Sequence, residues 1–291
     1  MRVIPIVPCG FCPGVVRAIR LVEQALKDPH TEKPIYVLGM IVHNRHVVEK
    51  LNAEGAIFLD DALKTKAEWI DTIPSGTIVI TAHGVAPHLK QRIHEKGLSL
   101  IDGTCKDVTR THEIIRMHLQ LGYQIIYIGK KHHPESSAVC GIDPGIILVE
   151  SVEDISDLMI HNPNIFVTNQ TTFSQYDIQA ILDVIRNQFP EAIIQDEICD
   201  STRIRQQAIT QFNHDVDLCY IVGDPKSNNT QNLAKISAEV TQTKTIQIQS
   251  VADIDTRDLI GVETVSVSSG ASTPPELTRA VIDFLSHYQR K

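Results

Sequence analysis

The chain has 291 residues, 42% of them hydrophobic, and a formal net charge of −8. That length suits about two domains with real cores, and the acidic balance argues against a protein that coats nucleic acid, which needs a basic face. No apolar run approaches the ~20 residues of a membrane span, and the short apolar start reads as a strand, not an export signal, so the sequence implies a cytoplasmic chain with reduced thiols and no membrane partner.

The first strand expected is Val3-Ile4-Pro5-Ile6-Val7-Pro8. It runs into Cys9-x-x-Cys12, which has the spacing of a redox pair and is a weak signal by itself. A helix is expected over 15–26, where Val15, Ile19, Val22 and Leu26 share one face. A strand over 35–38 ends in Gly39, with His43 four residues on. The strand over 77–81 ends in Thr81-Ala82-His83-Gly84. One over 99–102 leads to Cys105 and a helix over 108–121. Next, a strand over 125–129 ends in Gly129 and is followed by His133-Pro134-Glu135. A strand over 165–168 opens onto Asn169-Gln170-Thr171-Thr172, and a helix over 175–188 follows. Cys199 precedes another helical stretch, and a strand over 218–222 ends in Gly223, with Ser227 four residues on. The last strand, 264–268, runs into Ser269-Gly270-Ala271-Ser272 ahead of a helix over 276–288. Near-continuous apolar strands alternating with helices indicate parallel sheets covered on both faces.

A repeat underlies this order. Cys12, Cys105 and Cys199 lie 93 and 94 residues apart, each just before a helical stretch. After each comes a strand ending in glycine with a polar residue four positions on, then a second strand end carrying His83, Thr171 or Ser272. The expected architecture is three pseudo-equivalent α/β lobes with mainly parallel sheets, spanning 14–103, 104–197 and 198–291, with residues 1–13 supplying a strand and a cysteine loop. Ligands of parallel sheets bind beyond the C-terminal strand edges. Three such edges facing one another would bring together three thiolates and a set of polar groups.

Three thiolates with no clear fourth leave one coordination position open on a soft metal, and both a [4Fe–4S] cluster and a zinc ion fit that count. Cys9, Cys140 and Cys219 match no repeat position, and Cys219 reads as strand core. His43, His83, Ser227, Asn229 and Ser272 all follow strands. Several open helices, whose N–H groups and dipole attract phosphate; the Ser and Asn residues read equally as ordinary caps. Glu135 in an apolar pocket would keep its proton near neutral pH and act as an acid; in a surface turn it would not.

Gly10-Phe11-Cys12-x-Gly14-Val15, Val42-His43-Asn44, Ala82-His83-Gly84-Val85, Asp102-x-Thr104-Cys105, His133-Pro134-Glu135, Gln170-Thr171-Thr172, Ile198-Cys199, Ser227-x-Asn229 and Gly270-Ala271-Ser272 occur in this order. Together they resemble the 4-hydroxy-3-methylbut-2-enyl diphosphate reductases, the LytB/IspH family, over essentially the whole chain. The resemblance implies a trefoil of three α/β lobes around a central [4Fe–4S] cluster held by Cys12, Cys105 and Cys199. It implies a diphosphate site of His43, His83, Ser227, Asn228, Asn229 and Ser272, and a proton relay through Glu135 with Thr171 and His133. Val15, Val42, Ala82 and Val108 would line the carbon skeleton. The implied reaction is the last step of the non-mevalonate isoprenoid pathway, with electrons from a ferredoxin or flavodoxin-type donor.

The chain departs from the common family pattern at Cys9, Pro13, Lys106-Asp107, Ser136-Ser137-Ala138 and Asn228. Two other functions compete. One is an iron–sulfur relative acting as a sensor or on another allylic diphosphate; the full anion-binding set disfavours a pure sensor. The other is a zinc hydrolase with Glu135 as base, which the thiolate-only ligands and the reductase motifs disfavour.

Overall fold

The computed structural model describes residues 1–42, 44–60, 64–156 and 158–288. His43, expected in the diphosphate set, lies outside the described residues. The chain opens with β1 (Arg2–Pro5) and α1 (Pro13–Lys27), followed by β2 (Ile35–Leu38), α2 (Arg45–Ala53), β3 (Ala56–Leu59) and α3 (Lys66–Thr72). Then come β4 (Thr77–Ile80), α4 (Pro87–Glu95), β5 (Ser99–Asp102), α5 (Lys106–Gln120), β6 (Gln124–Ile128) and α6 (Pro134–Cys140). The middle continues with β7 (Ile147–Val149), α7 (Glu153–Ser156), β8 (Ile165–Asn169), α8 (Asp177–Gln188) and β9 (Ile193–Ile194). The last third has α9 (Asp200–Phe212), β10 (Leu218–Val222), α10 (Asn228–Glu239), β11 (Thr245–Ile248), β12 (Thr264–Ser269) and α11 (Pro275–His287), with two short 3₁₀ turns between β11 and β12.

These strands form three four-stranded sheets, and every pairing is parallel. This is the expected mainly parallel α/β organisation. The orders are β3-β2-β4-β5, β7-β6-β8-β9 and β11-β10-β12-β1. The same permutation recurs three times, except that the fourth place of the third sheet is filled by β1, from the other end of the chain. Each of the three evenly spaced cysteines follows a fourth strand: Cys105 follows β5, Cys199 follows β9 and Cys12 follows β1.

The described chain forms two compact units. Residues 13–42 and 46–198 make one, holding the first two sheets; residues 1–12, 44–45 and 199–288 make the other, holding the third. In the larger unit both faces of each sheet are covered. Ala18, Val22 and Leu51 from α1 and α2 pack on Val37 and Val79, while Ile70, Leu89 and Ile93 from α3 and α4 pack on Ile78 and Ile80. On the second sheet Ile115 and Val139 meet Ile125 and Tyr127 on one face, and Ile178, Ile181 and Ile185 meet Ile126 and Val167 on the other. In the smaller unit Ile209, Leu233 and Ile236 cover Cys219 and Ile221, and Val281 and Leu285 of α11 cover Tyr220 and Val267. Each buried aliphatic side chain of this kind contributes about 1.5–3 kcal/mol.

All six interior strands are among those expected from sequence. The four strands that the sequence did not indicate, β3, β7, β9 and β11, are all sheet edges. Central strands such as β4, β8 and β10 are buried at every position and read as apolar runs, whereas an edge strand has a solvated side and a weaker pattern. Among the described residues no disulfide pairs the six cysteines, and no helix is long and apolar enough to cross a membrane.

Candidate active site

In the larger unit the site begins at Cys105, the N-cap residue of α5. Its N–H donates to Ala82 O at 2.9 Å, which seats the cysteine beside the β4 strand end that carries His83. Arg17 of α1 fastens the approach by donating to Thr104 O and Asp102 O at 3.0 and 3.1 Å. The Cys105 thiol donates to Asp107 Oδ2 at 3.7 Å.

Glu135 sits in the first turn of α6, 1% exposed. The N–H of Thr171 donates to its Oε1 at 2.7 Å and the Thr171 hydroxyl to its Oε2 at 3.0 Å. The Tyr127 hydroxyl donates to Oε1 at 3.4 Å. Burial pushes the Glu135 carboxyl up to about 7; the bonds from Thr171 and Tyr127 oppose that rise, and the charge of Asp107 adds to it. His133 caps α6, its Nδ1 accepting from the Glu135 N–H at 3.2 Å, and its ring meets His83 edge-on with centroids 5.3 Å apart. Gln170 ties this strand end to the neighbouring loop, its Oε1 accepting from Lys130 N at 2.9 Å and Ser136 Oγ at 3.5 Å. Cys105, His83, His133, Glu135 and Thr171 thus all belong to this unit. Val15, Val42 and Ala82 share the apolar cluster over the first sheet, and Val108 is buried on α5.

In the smaller unit Cys199 is the N-cap residue of α9, and its thiol donates to Thr202 Oγ1 at 3.4 Å. Cys12 is placed by its N–H, which donates to Ala271 O at 2.9 Å. Two residues earlier, Gly10 has φ +79°, a conformation that favours glycine, and its N–H donates to Ser269 Oγ at 2.8 Å. The N-terminus of α10 gathers the polar set. Ser227 is its cap, accepting from Thr230 N at 3.4 Å, and Ser272 Oγ donates to Ser227 Oγ at 3.2 Å. Asn229 accepts from Ala271 N at 2.9 Å and donates to Thr202 Oγ1 at 3.5 Å. Ser227, Asn228, Asn229 and Ser272 are all less than a tenth exposed. Small glycines permit this closeness: a Cβ on Gly270 would lie 2.1 Å from Thr230 Oγ1, and one on Gly223 2.5 Å from the same atom. Hydroxyls, amides and the start of a twelve-residue helix suit an anionic group.

The thiols of Cys12, Cys105 and Cys199 are half-buried, and each precedes a helix. Buried Arg205 lies within electrostatic reach of Cys12 and Cys199. This donor set fits a soft, thiolate-held group. Among the described residues no three His, Cys, Asp or Glu side chains gather as a single metal ion requires.

Four participants were not expected. Tyr127 lies inside the apolar run of β6 and reads as core. Thr202 and Arg205 lie on α9, where the only signal was two polar residues on an otherwise core-facing helical stripe. Asp107 stood out only as a departure from the family pattern.

The LytB protein family model matches residues 3–286. The chain is 46% identical over 289 residues to the 4-hydroxy-3-methylbut-2-enyl diphosphate reductases of Bacillus cytotoxicus and of Bacillus cereus strain B4264, spanning 99% of this chain and 91% of each relative. The solved E-1-hydroxy-2-methyl-but-2-enyl-4-diphosphate reductase from Plasmodium falciparum superposes with a TM-score of 0.91 at 33% identity, covering 98% of this chain and 88% of that one. A second solved structure, of the (E)-4-hydroxy-3-methyl-but-2-enyl diphosphate reductase described as the terminal enzyme of the non-mevalonate pathway, gives 0.69 at 29% identity over 99% of this chain and all of that one. With a fold, a motif order and a sequence matched along nearly its whole length, the chain belongs to the LytB family.

Proposed function

We propose that the chain reduces 4-hydroxy-3-methylbut-2-enyl diphosphate to isopentenyl and dimethylallyl diphosphates, the last step of the non-mevalonate pathway, in the cytoplasm. Two electrons and two protons enter; the allylic C–O bond breaks, a C–H bond forms, and the hydroxyl leaves as water. Cys12, Cys105 and Cys199 would hold a [4Fe–4S] cluster, one at the head of each lobe's helix, with lobes spanning 14–103, 104–197 and 198–291. When bound, the cluster supplies the electrons and one open iron position; a ferredoxin or flavodoxin-type protein would recharge it.

The other roles fall to the chain itself. Ser227, Asn228, Asn229 and Ser272 at the head of α10 would bind the diphosphate, joined by His83 and His43. Fixed donors aimed at an anion need no reorganisation during the reaction. Val15, Val42, Ala82 and Val108 would enclose the carbon skeleton and exclude water. Glu135 would deliver protons, oriented by Thr171 and Tyr127, with His133 beside it.

The observation that carries this reading is Glu135: a wholly buried carboxyl, raised to about 7 by burial and gripped through both oxygens by Thr171. Such a group is tuned to exchange a proton near neutral pH. The test is anaerobic purification with iron and sulfide analysis, then assay with the hydroxylated diphosphate and a reduced donor. Cluster-loaded protein that neither binds nor converts that substrate refutes the reading; zinc without sulfide would favour hydrolysis.

A further inference from the structure

The core-facing stripe of α9 carries Thr202, Arg205, Gln206 and Ile209, all buried. Arg205 is 4% exposed. A guanidinium so deeply buried requires partners for its donors. Nη1 donates to Ser201 O and Nη2 to Gly10 O, both at 2.8 Å. Ser201 lies two residues after Cys199, and Gly10 lies two residues before Cys12. One side chain therefore spans the two backbone segments that carry these cysteines. Its Nε–H is also buried and has no hydrogen-bond partner. The ionisable groups acting on the guanidinium are the thiols of Cys12, Cys199 and Cys9, while desolvation opposes its charge.

Burying a cation without a nearby anion is costly. Thiols supply that anion only when ionised, as metal ligation makes them. We propose that Arg205 is a positioning residue for the Cys12 and Cys199 thiolates, and that its fixed charge favours the reduced form of the cluster they would hold. The proposal rests on the iron–sulfur reading above. Every electron added to a thiolate-held cluster adds negative charge, so a desolvated cation beside it raises the reduction potential. The unpartnered, buried Nε–H is a donor available to a thiolate sulfur.

The test compares the full chain with Arg205→Gln and Arg205→Lys after anaerobic purification. Iron and sulfide per chain are measured first, then the midpoint potential by redox titration followed by electron paramagnetic resonance. Arg205→Gln keeps a planar N–H donor group on a shorter stem but removes the charge. Its reduced-to-oxidised ratio at fixed poise is expected to fall about tenfold or more, equivalent to ~59 mV for a one-electron couple. Arg205→Lys keeps the charge without the planar fork. Its ratio is expected to stay within about twofold of the parent's, well inside that tenfold scale, while cluster reassembly after removal slows. Arg205→Gln with a full cluster and unchanged potential overturns the proposal. Should Arg205→Gln fail to fold by circular dichroism, Arg205→Lys decides: a potential shifted as far as that expected for the Gln variant refutes the charge role. Loss of fold in both variants marks the residue as structural only and also overturns it. Parent chain without sulfide refutes the iron–sulfur reading itself, and is scored before either variant.

Discussion

Thr171 holds both oxygens of Glu135, the N–H on Oε1 at 2.7 Å and the hydroxyl on Oε2 at 3.0 Å. These bonds favour the charged carboxylate, whereas burial favours the neutral acid, and the two effects leave the group near 7. Thr171→Val removes the hydroxyl and keeps the N–H. Losing one bond to a charged group, worth about 1.5–3 kcal/mol, should raise the Glu135 value by about one pH unit or more. In the proposed role the acid form is the proton donor, so the alkaline limb of the kcat profile should move upward. A profile superimposable on the parent's would exclude this coupling.

The same group links stability to pH. Its folded value lies above that of an ordinary carboxylate, so the fold favours the protonated form. The stability this gives is complete below the ordinary carboxylate range and is lost as pH rises through about 7. The loss is on the order of 3 kcal/mol. Glu135→Gln keeps the shape and does not titrate. Its urea midpoint should vary less between about pH 5 and 8 than the parent's, while the cluster stays and turnover falls on the order of 100-fold or more. Near-normal turnover would remove Glu135 from the proton path.

At the α10 terminus, Gly270→Ala places a methyl 2.1 Å from Thr230 Oγ1. The forced shift should cost about 1–3 kcal/mol and raise KM for the diphosphate. Adding Thr230→Ala removes that oxygen, so the double variant should recover much of the thermal stability. Strict additivity of the two changes would contradict the contact.

Asn229 bridges the Ala271 N–H and Thr202 Oγ1. Asn229→Ala leaves a buried N–H unsatisfied, a penalty of about 1–3 kcal/mol. Substrate affinity should fall about tenfold, which is 1.4 kcal/mol. The carbonyl of the same Ala271 accepts from Cys12, so cluster loss under a chelator should also quicken. An unchanged rate of loss would separate the two loops.

Two cysteines in the larger unit offer a paired comparison. Cys105 caps α5, while Cys140 closes α6. Cys105→Ser should fail to keep an intact cluster, whereas Cys140→Ser should match the parent in iron and sulfide. Equal loading of both variants would contradict the ligand role of Cys105.

What could be read in the sequence follows burial. The strand Ile165–Asn169 is buried throughout and stands out as an apolar run, whereas Ile193–Ile194 is two residues long and half solvated, too little to carry a pattern. His133-Pro134-Glu135 marked a candidate acid because a carboxylate after a strand end is conspicuous. Its hold by Tyr127 was invisible, since a tyrosine among isoleucines packs like any other core ring and its hydroxyl finds a partner only in three dimensions. Arg205 was hidden in the opposite way: an arginine on a helix is usually solvated, and only the fold shows this one enclosed. The role of Thr171 came through family resemblance, because spacing alone cannot say that a threonine 36 residues away meets Glu135.

The fourth strand of the third sheet bears on the order of synthesis. Strand β1 leaves the ribosome well before its partner β12, and Gly10 waits for Ser269 across 259 residues. Until the Ser269–Ala271 turn exists, neither Gly10 nor Cys12 has the main-chain seat described above. Pairing across so long a separation is slow and comes late. Loading of the proposed cluster is thereby tied to synthesis of β12 and the turn after it, and a nascent chain that lacks them presents Cys12 without the Ala271 hydrogen bond.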